Sequence, residues 1–245
     1  MNAIPENLID RLRQARKVVI STGAGVSAES GVPTFRGTGG IWSKMNPEEL
    51  ASVDGFMRNP QLVWEWYQYR RDLMDKVAPN PGHYAIARFE KRFADFTLIT
   101  QNIDGLHARA GSVNILELHG NITRNKCFKC ERPYAGEINL KEGLPYCGCG
   151  GMIRPDVVWF GEMLPETVLR GAFRAAEEAE VFFSVGTSAV VQPAASLPFV
   201  ARRAGAYVIE VNVETTGMTP VADLFLEGKS GEILPRILEG LDAER

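Results

Sequence analysis

Apolar residues recur along the chain in two spacings. Leu8, Ile9 and Leu12 fall on one helical face with charges between them, which predicts an amphipathic helix over 4–15. Val18-Val19-Ile20, next in the chain, is a short β-branched run of the kind found in a strand buried on both faces. Similar runs at 96–100, 113–121, 153–162, 181–185, 207–212 and 222–226 predict further strands, that at 153–162 ending in a loop. Between them, helical patterns start at 47–51 and cover 59–77, 83–93 and 169–179, and a last helix follows Gly228-Lys229-Ser230-Gly231. In the 83–93 helix, Tyr84, Ile86, Ala87 and Phe89 form the expected buried face, and His83 reads as a helix-start or surface residue. Alternating strands and helices predict an α/β fold, a Rossmann-like doubly wound parallel sheet.

In such a sheet, ligands bind beyond the carboxyl ends of the strands. Five of the predicted ends carry small or polar residues: Gly23/Gly25, Asn102/Asp104, His119, Gly186/Ser188 and Asn212. The first resembles a dinucleotide turn. Gly23 would permit the turn, Gly25 would let backbone N–H groups approach a pyrophosphate, and Ala28 would allow close packing, although a glycine turn without ligand has the same pattern. The acid that a dehydrogenase carries about 20 residues further on is missing. Instead the chain enters Gly31-Val32-Pro33-Thr34-Phe35-Arg36-Gly37, a loop able to fold over a nucleotide. Gln101, Asn102 and Asp104 suit contacts to ribose or a carboxamide, or equally turn formation and helix capping. His119 beside Gly120 can transfer protons near neutral pH, or be an ordinary half-buried histidine; His107 reads as structural. Gly186-Thr187-Ser188 suits phosphate or ribose, and Asn212 with Glu214 an adenosine ribose.

Composition narrows the class. The chain has 245 residues, 45% hydrophobic content and a net charge of -3, enough for a sizeable core and too acidic for charge-driven nucleic-acid binding. There is no run of 18 apolar residues and no signal-peptide core at the N-terminus, so a soluble, cytoplasmic protein with no membrane partner is expected. All four cysteines lie in one segment: Cys127-x-x-Cys130, 16 intervening residues, then Cys147-x-Cys149. The spacing predicts a closed four-thiolate zinc site, with unmetallated or oxidised thiols as the alternative. A nucleic-acid-binding ribbon is disfavoured, because Lys129, Arg132 and Lys141 are balanced by Glu131, Glu137 and Glu142. On the aromatic helix, Tyr67 and Arg70 leave the same face and could grip a carboxylate, though core and solvated surface are the usual fates of such residues.

The run T-G-A-G-V-S-A-E-S-G-V-P-T-F-R (22–36) resembles the signature of the sirtuins, NAD-dependent protein lysine deacylases. Q-N-I-D (101–104), L-H-G-N (118–121) and V-V-W-F-G-E (157–162) extend the resemblance along essentially the whole chain. It implies NAD as co-substrate, a structural Zn(II) on Cys127, Cys130, Cys147 and Cys149, and acylated-lysine proteins or peptides as partners. A monomer is expected, with no nucleic acid. It also implies a Rossmann-like part (1–37, 79–120 and 155–245), a helical cap (38–78) and a zinc-binding module (121–154).

Residue by residue, the resemblance assigns NAD to Gly23, Ala24, Gly25, Ser27, Ala28, Glu29, Thr34, Phe35, Arg36 and Trp42. It adds Gln101, Asn102, Ile103, Asp104, Gly186, Thr187, Ser188, Asn212, Val213, Glu214 and Ser230. Phe35 would shield the reacting ribose, Arg36 contact phosphate, Asp104 hold nicotinamide and Asn102 order ribose and water. His119 would be the base. Ala51, Tyr67, Arg70, Val158, Phe160 and Gly161 would line the acyl-lysine tunnel, the 158–162 loop pairing with the peptide backbone. Tyr-x-x-Arg with a small residue at 51 resembles the branch that removes succinyl and malonyl groups, with deacetylation as a second activity. In the implied reaction the acyl oxygen attacks the nicotinamide ribose, nicotinamide departs, and free lysine and O-acyl-ADP-ribose result. A protein ADP-ribosyltransferase using the same pocket is the alternative.

Overall fold

The computed structural model describes residues 4–35, 40–43 and 45–243, apart from the side chain of Trp42. Helix α1 (Glu6–Gln14) buries Leu8, Ile9 and Leu12 and leads into strand β1 (Lys17–Thr22), followed at once by α2 (Ala24–Ala28). The chain continues through α3 (Pro47–Leu50), α4 (Val53–Arg58), α5 (Pro60–Met74) and α6 (Pro81–Arg92). Each of these four starts on Asn46, Ser52, Asn59 or Asn80, whose side chain accepts a first-turn N–H that no helical carbonyl can reach. Then come β2 (Asp95–Thr100), α7 (Leu106–Arg109), β3 (Ile115–Glu117), β4 (Gly120–Cys127), β5 (Pro133–Tyr134) and β6 (Ile153–Val157). The remainder is α8 (Glu166–Glu178), β7 (Val181–Val185), α9 (Leu197–Ala204), β8 (Tyr207–Asn212), β9 (Leu224–Glu227) and α10 (Ser230–Asp242). No described helix is long and apolar enough to cross a membrane.

Six strands form one sheet in the order β3-β2-β1-β7-β8-β9, with every neighbouring pair parallel. The chain starts in the middle, builds to one edge, and resumes on the other side of β1, so the β1/β7 boundary is the switch point where a crevice opens. Register sharpens this. Thr22 lies opposite Thr100 on one side and Val185 on the other, so Gly23, Gln101 and Gly186 leave the sheet at one level. Successive side chains alternate between faces: Val18 and Ile20 pack with α1, α6 and α10, while Val19 packs with α8 and α9. Burial on both faces is why these strands read as unbroken apolar runs.

A second sheet, β5-β4-β6, is antiparallel and shares a core with α3 to α5 that includes Phe56, Trp64 and Trp159. Trp64 Nε1 donates to the Ile153 carbonyl at 3.0 Å, and Arg71 donates to the Ile122 carbonyl and Asn125 Oδ1, both at 2.7 Å, fastening α5 to this sheet.

Several expectations need correction. The strand expected over 113–121 is only Ile115–Glu117. The chain then turns so that Gly120, at φ +76°, packs where a Cβ would lie 2.2 Å from the Asp156 carbonyl oxygen. The α5 helix stops at Met74, short of residue 77. Tyr84 is 49% exposed and not on the buried face of α6. His83 is a helix-start residue, completing a capping box with Asn80, but it is wholly buried.

Candidate active site

Two loops meet backbone to backbone at the switch point. A Cβ on Gly23 would lie 2.8 Å from the Gly186 oxygen, and one on Gly25 would lie 2.7 Å from the same atom. This close approach changes the reason for the glycines. Gly23 is extended (φ -123°, ψ -171°), a conformation open to any residue, so it is glycine for lack of room and not to permit the turn. The Gly25 N–H donates to the Gly186 carbonyl at 2.8 Å and is therefore not directed at a pyrophosphate. Ala28 is exposed, so close packing does not explain its small size. The Ala24 N–H, at the first position of α2, has no acceptor within the helix and is the donor such a turn can still offer an anion.

Around this contact the strand-end side chains form one polar network. Asn102 Nδ2 donates to the Gly23 carbonyl at 3.0 Å and lies 3.2 Å from Ser27 Oγ; Ser27 donates to Asp104 Oδ2 at 2.7 Å. The Leu106 N–H donates to Asp104 Oδ1 at 2.9 Å, an Asx turn that leads into α7, whose N-cap residue is Gly105. Burial raises the Asp104 carboxyl above its usual range, opposed by these hydrogen bonds and by the charges of Arg70 and Arg109. Ile103 lies between Asn102 and Asp104, its carbonyl accepting from the Ile122 N–H at 2.8 Å. Behind the network, the His83 and His107 rings lie 4.8 Å apart, and His107 Nε2 is 3.0 Å from Thr22 Oγ1. Burial lowers His83 to about 4 and His107 to about 3, so both are neutral near pH 7.

His119 is half-buried in the turn between β3 and β4, with Nδ1 3.0 Å from the Gln101 carbonyl oxygen. A carbonyl only accepts, so Nδ1 carries the hydrogen and Nε2 is the basic nitrogen. The Gln101 side chain lies 3.3 Å from Thr187 Oγ1, and Asn212 Nδ2 donates to the Thr187 carbonyl at 3.0 Å. Gly25, Gly186, Thr187, Gln101 and His119 thus form one continuous series of contacts across the crevice. Ser188, Val213 and Glu214 are exposed at its far end, where the buried Glu210 carboxylate accepts from Thr216 and Thr219 and anchors the 213–221 loop. Glu29 accepts from Ser230 Oγ at 2.7 Å and the Gly231 N–H at 3.0 Å, so Glu29 and Ser230 tie α2 to α10. Thr34 and Phe35 are half-buried at the other end, Thr34 accepting the Ile41 N–H at 2.8 Å. Arg36 and the Trp42 side chain lie outside the described residues.

The residues expected at the acyl group cluster on the side of the crevice facing α5. Tyr67 and Arg70 are both buried, 2% and 3% exposed, against the usual fate of a surface arginine. The Arg70 guanidinium stacks on the Phe35 ring at 4.6 Å and near Trp66 at 5.3 Å, and its Nη1 has no hydrogen-bond partner among the described residues. Tyr67 Oη accepts from Trp159 Nε1 at 2.9 Å. Ala51 is buried, and its carbonyl accepts the Phe160 N–H at 2.9 Å, joining the loop after β6 to the helical segment. Val158 is half-buried, its N–H bonded to the His119 carbonyl at 2.9 Å, while Phe160 and Gly161 are exposed. Trp159 and Glu162 lie within the V-V-W-F-G-E run but received no role of their own in the sequence, and no spacing there pairs Arg154 with Glu162.

The four cysteine sulfurs lie within 4.8 Å of one another, Cys127 nearest Cys149 at 3.5 Å and Cys130 nearest Cys147 at 3.9 Å. Donor type, number and convergence fit a closed structural zinc site, the C-x-C half included. The Arg132 side chain donates to Cys130 Sγ at 3.3 Å, which lowers that thiol to about 6 and favours the thiolate a metal requires.

The strand order, the glycine contact at the switch point and the strand-end polar groups around it define a dinucleotide-binding α/β protein with a zinc module. Relatives place it more closely. The chain belongs to the Sir2 family, whose profile matches residues 23–193. NAD-dependent protein deacylase 2 of Pyrobaculum aerophilum is 51% identical over 234 residues, covering 95% of this chain and 94% of the relative. A solved Sir2 homolog-NAD complex superposes with a TM-score of 0.90 at 44% identity, covering 98% of this chain and 94% of that one. A Sir2 variant with a deacetylated p53 peptide and 3'-O-acetyl ADP-ribose gives 0.85 at 36% identity, covering 96% and 97%. NAD is the co-substrate of this family, and the crevice at the switch point has the strand order and exposed polar ends to receive it.

Proposed function

We propose that this Sir2 family member is an NAD-dependent protein lysine deacylase whose pocket takes acyl chains ending in a carboxylate, with deacetylation as a second activity. The observation that carries the acidic preference is Arg70: a buried guanidinium with an unpartnered Nη1, one helical turn from a buried phenol. A cation left in this state is suited to a ligand that brings its own negative charge.

Bound NAD supplies an anomeric carbon that becomes electrophilic as nicotinamide leaves. His119, its Nδ1 hydrogen given to the Gln101 carbonyl, takes a proton from a ribose hydroxyl at Nε2. Asp104 and Asn102, tied together through Ser27, orient the nicotinamide end, and Phe35 excludes water from the reacting centre. Asn212, Val213, Glu214 and Ser188 receive the adenosine ribose. Phe160 and Gly161 offer backbone groups to the peptide, so sequence tolerance is expected on the partner. The cleft lies between the helical cap (38–78), the zinc module (121–154) and the Rossmann-like part.

The test is to incubate zinc-loaded protein with acetyl- and succinyl-lysine versions of one peptide, with and without NAD, and to identify products by mass. Free lysine and O-acyl-ADP-ribose formed only with NAD, faster from the succinyl peptide and absent in His119→Ala, are expected. ADP-ribose attached to the peptide, or a clear preference for acetyl, would overturn the proposal.

A further inference from the structure

Tyr67 and Arg70 can distinguish a carboxylate from a methyl group only if the phenol presents its hydrogen, not a lone pair, to the ligand. A hydroxyl both donates and accepts, and a phenol free to rotate could serve either kind of chain. Here its rotation is restricted. The Trp159 indole is a donor only, and it donates to Tyr67 Oη at 2.9 Å, occupying one acceptor position and turning the phenolic hydrogen elsewhere. Among the described residues no acceptor receives that hydrogen. Burial raises Tyr67 to about 12, opposed by the Trp159 hydrogen bond and the Arg70 charge, so the hydrogen is retained at working pH.

Trp159 is itself held on several sides. The Arg154 guanidinium lies 3.3 Å from the centre of its ring, and the Phe56 ring centroid is 5.0 Å away. Arg154 is gripped by both Glu162 oxygens, at 2.5 and 2.9 Å, and donates to the Val157 carbonyl at 2.8 Å. Glu162 also accepts the Trp159 N–H at 2.8 Å. Burial alone would raise Glu162, but these hydrogen bonds outweigh it and keep the carboxyl below its usual range, ionised for this task.

We propose that Trp159 is a specificity-determining positioning residue: by donating to the Tyr67 hydroxyl it fixes that group as a donor, so that with Arg70 the pocket offers hydrogens and no lone pair to the end of the acyl chain. An acyl carboxylate satisfies both donors; an acetyl group leaves both unpaired. The inference rests on the acidic-acyl reading above, and the Arg154–Glu162 pair is its support.

The experiment compares wild type, Trp159→Phe, Tyr67→Phe, the Trp159→Phe/Tyr67→Phe double variant and Arg70→Met at saturating NAD. KM and kcat are measured on succinyl- and acetyl-lysine versions of one peptide. Phe keeps an aromatic ring beneath Arg154 and removes only the N–H and the outer ring. In Trp159→Phe the KM for the succinyl peptide should rise about tenfold, the acetyl KM far less, and kcat should move little on either, as for loss of one oriented hydrogen bond to a charged group. Added to Tyr67→Phe, the same change should have no further effect on the succinyl-to-acetyl ratio. Equal losses on both peptides, or a ratio change that persists without the phenol, would show that Trp159 only fills space. If Arg70→Met also leaves the ratio unmoved, the acidic-acyl reading itself fails; if Arg70→Met shifts it and Trp159→Phe does not, only the role of Trp159 fails. Should Trp159→Phe lower zinc content or thermal midpoint, benzothienylalanine at position 159, with sulfur in place of the indole N–H, keeps the shape and gives the same two outcomes.

Discussion

Arg70→Met separates a binding group from a structural one by its effect on stability without ligand. The buried Nη1 is unpartnered among the described residues, and an unmet buried donor costs about 1–3 kcal/mol. Stacking on Phe35 and Trp66 offsets about 1–2 kcal/mol of this. Methionine fills a similar length and regains about 0.3–1.5 kcal/mol from the same rings. The sum for Arg70→Met runs from about 0.7 kcal/mol of destabilisation to about 3.5 kcal/mol of stabilisation, and about 2–4 °C in thermal midpoint accompanies each 1 kcal/mol in a chain of this size. An arginine serving an internal ion pair would instead lose about 3–5 kcal/mol on truncation. Urea unfolding of zinc-loaded wild type and variant at pH 7 reads the difference. Repeating it with a succinyl-lysine peptide and ADP-ribose should stabilise wild type more than the variant. Destabilisation beyond about 2 kcal/mol with zinc retained would refute the reasoning, because the guanidinium would then be holding the fold together.

Three further outcomes are expected. Chelating the zinc should expose backbone amides in 127–152 to hydrogen exchange well before those of β1 and β7, since this segment is closed by its thiolates and not by a core of its own; simultaneous loss of protection in both sheets would contradict this. His83 and His107, held at about 4 and about 3, titrate near 6.5 when unfolded, so the unfolded chain takes up protons that the folded one refuses. Their contribution is complete above about pH 6.5 and declines with acid toward the folded values, with a slope near pH 5 of up to about 2.7 kcal/mol per pH unit for the pair. Urea midpoints from pH 7.5 to 5 should show this fall, shallower in His107→Gln, and a slope identical in the variant would disprove it. Gly25→Ala, whose Cβ would lie 2.7 Å from the Gly186 oxygen and 2.8 Å from its Cα, should force the two loops apart, weakening NAD binding at least about tenfold by calorimetry and costing about 1–3 kcal/mol. Unaltered affinity would mean that the loops are not closely packed.

The sequence by itself determined the strands of the parallel sheet, though not the length of β3, together with the glycine turn, the histidine that follows β3 and the cysteine set. Each is a local pattern, governed by side-chain period, turn chemistry or ligand spacing over a few residues, and local patterns survive in one dimension. Tertiary structure alone decided what those residues are for. Gly23 and Gly25 are small because a loop more than 160 residues away comes to rest on them, a crowding that no turn rule contains. The brevity of β3 follows from Gly120 meeting Asp156, and the burial of His83 and His107 from two helices closing over the ends of β1 and β2. Tyr67 and Arg70 are legible as a pair on one helix face, whereas the Trp159 hydrogen bond that aims the phenol joins residues 92 apart. Contacts of that range are products of packing, because side-chain chemistry fixes which groups can pair and only the folded chain fixes which ones meet.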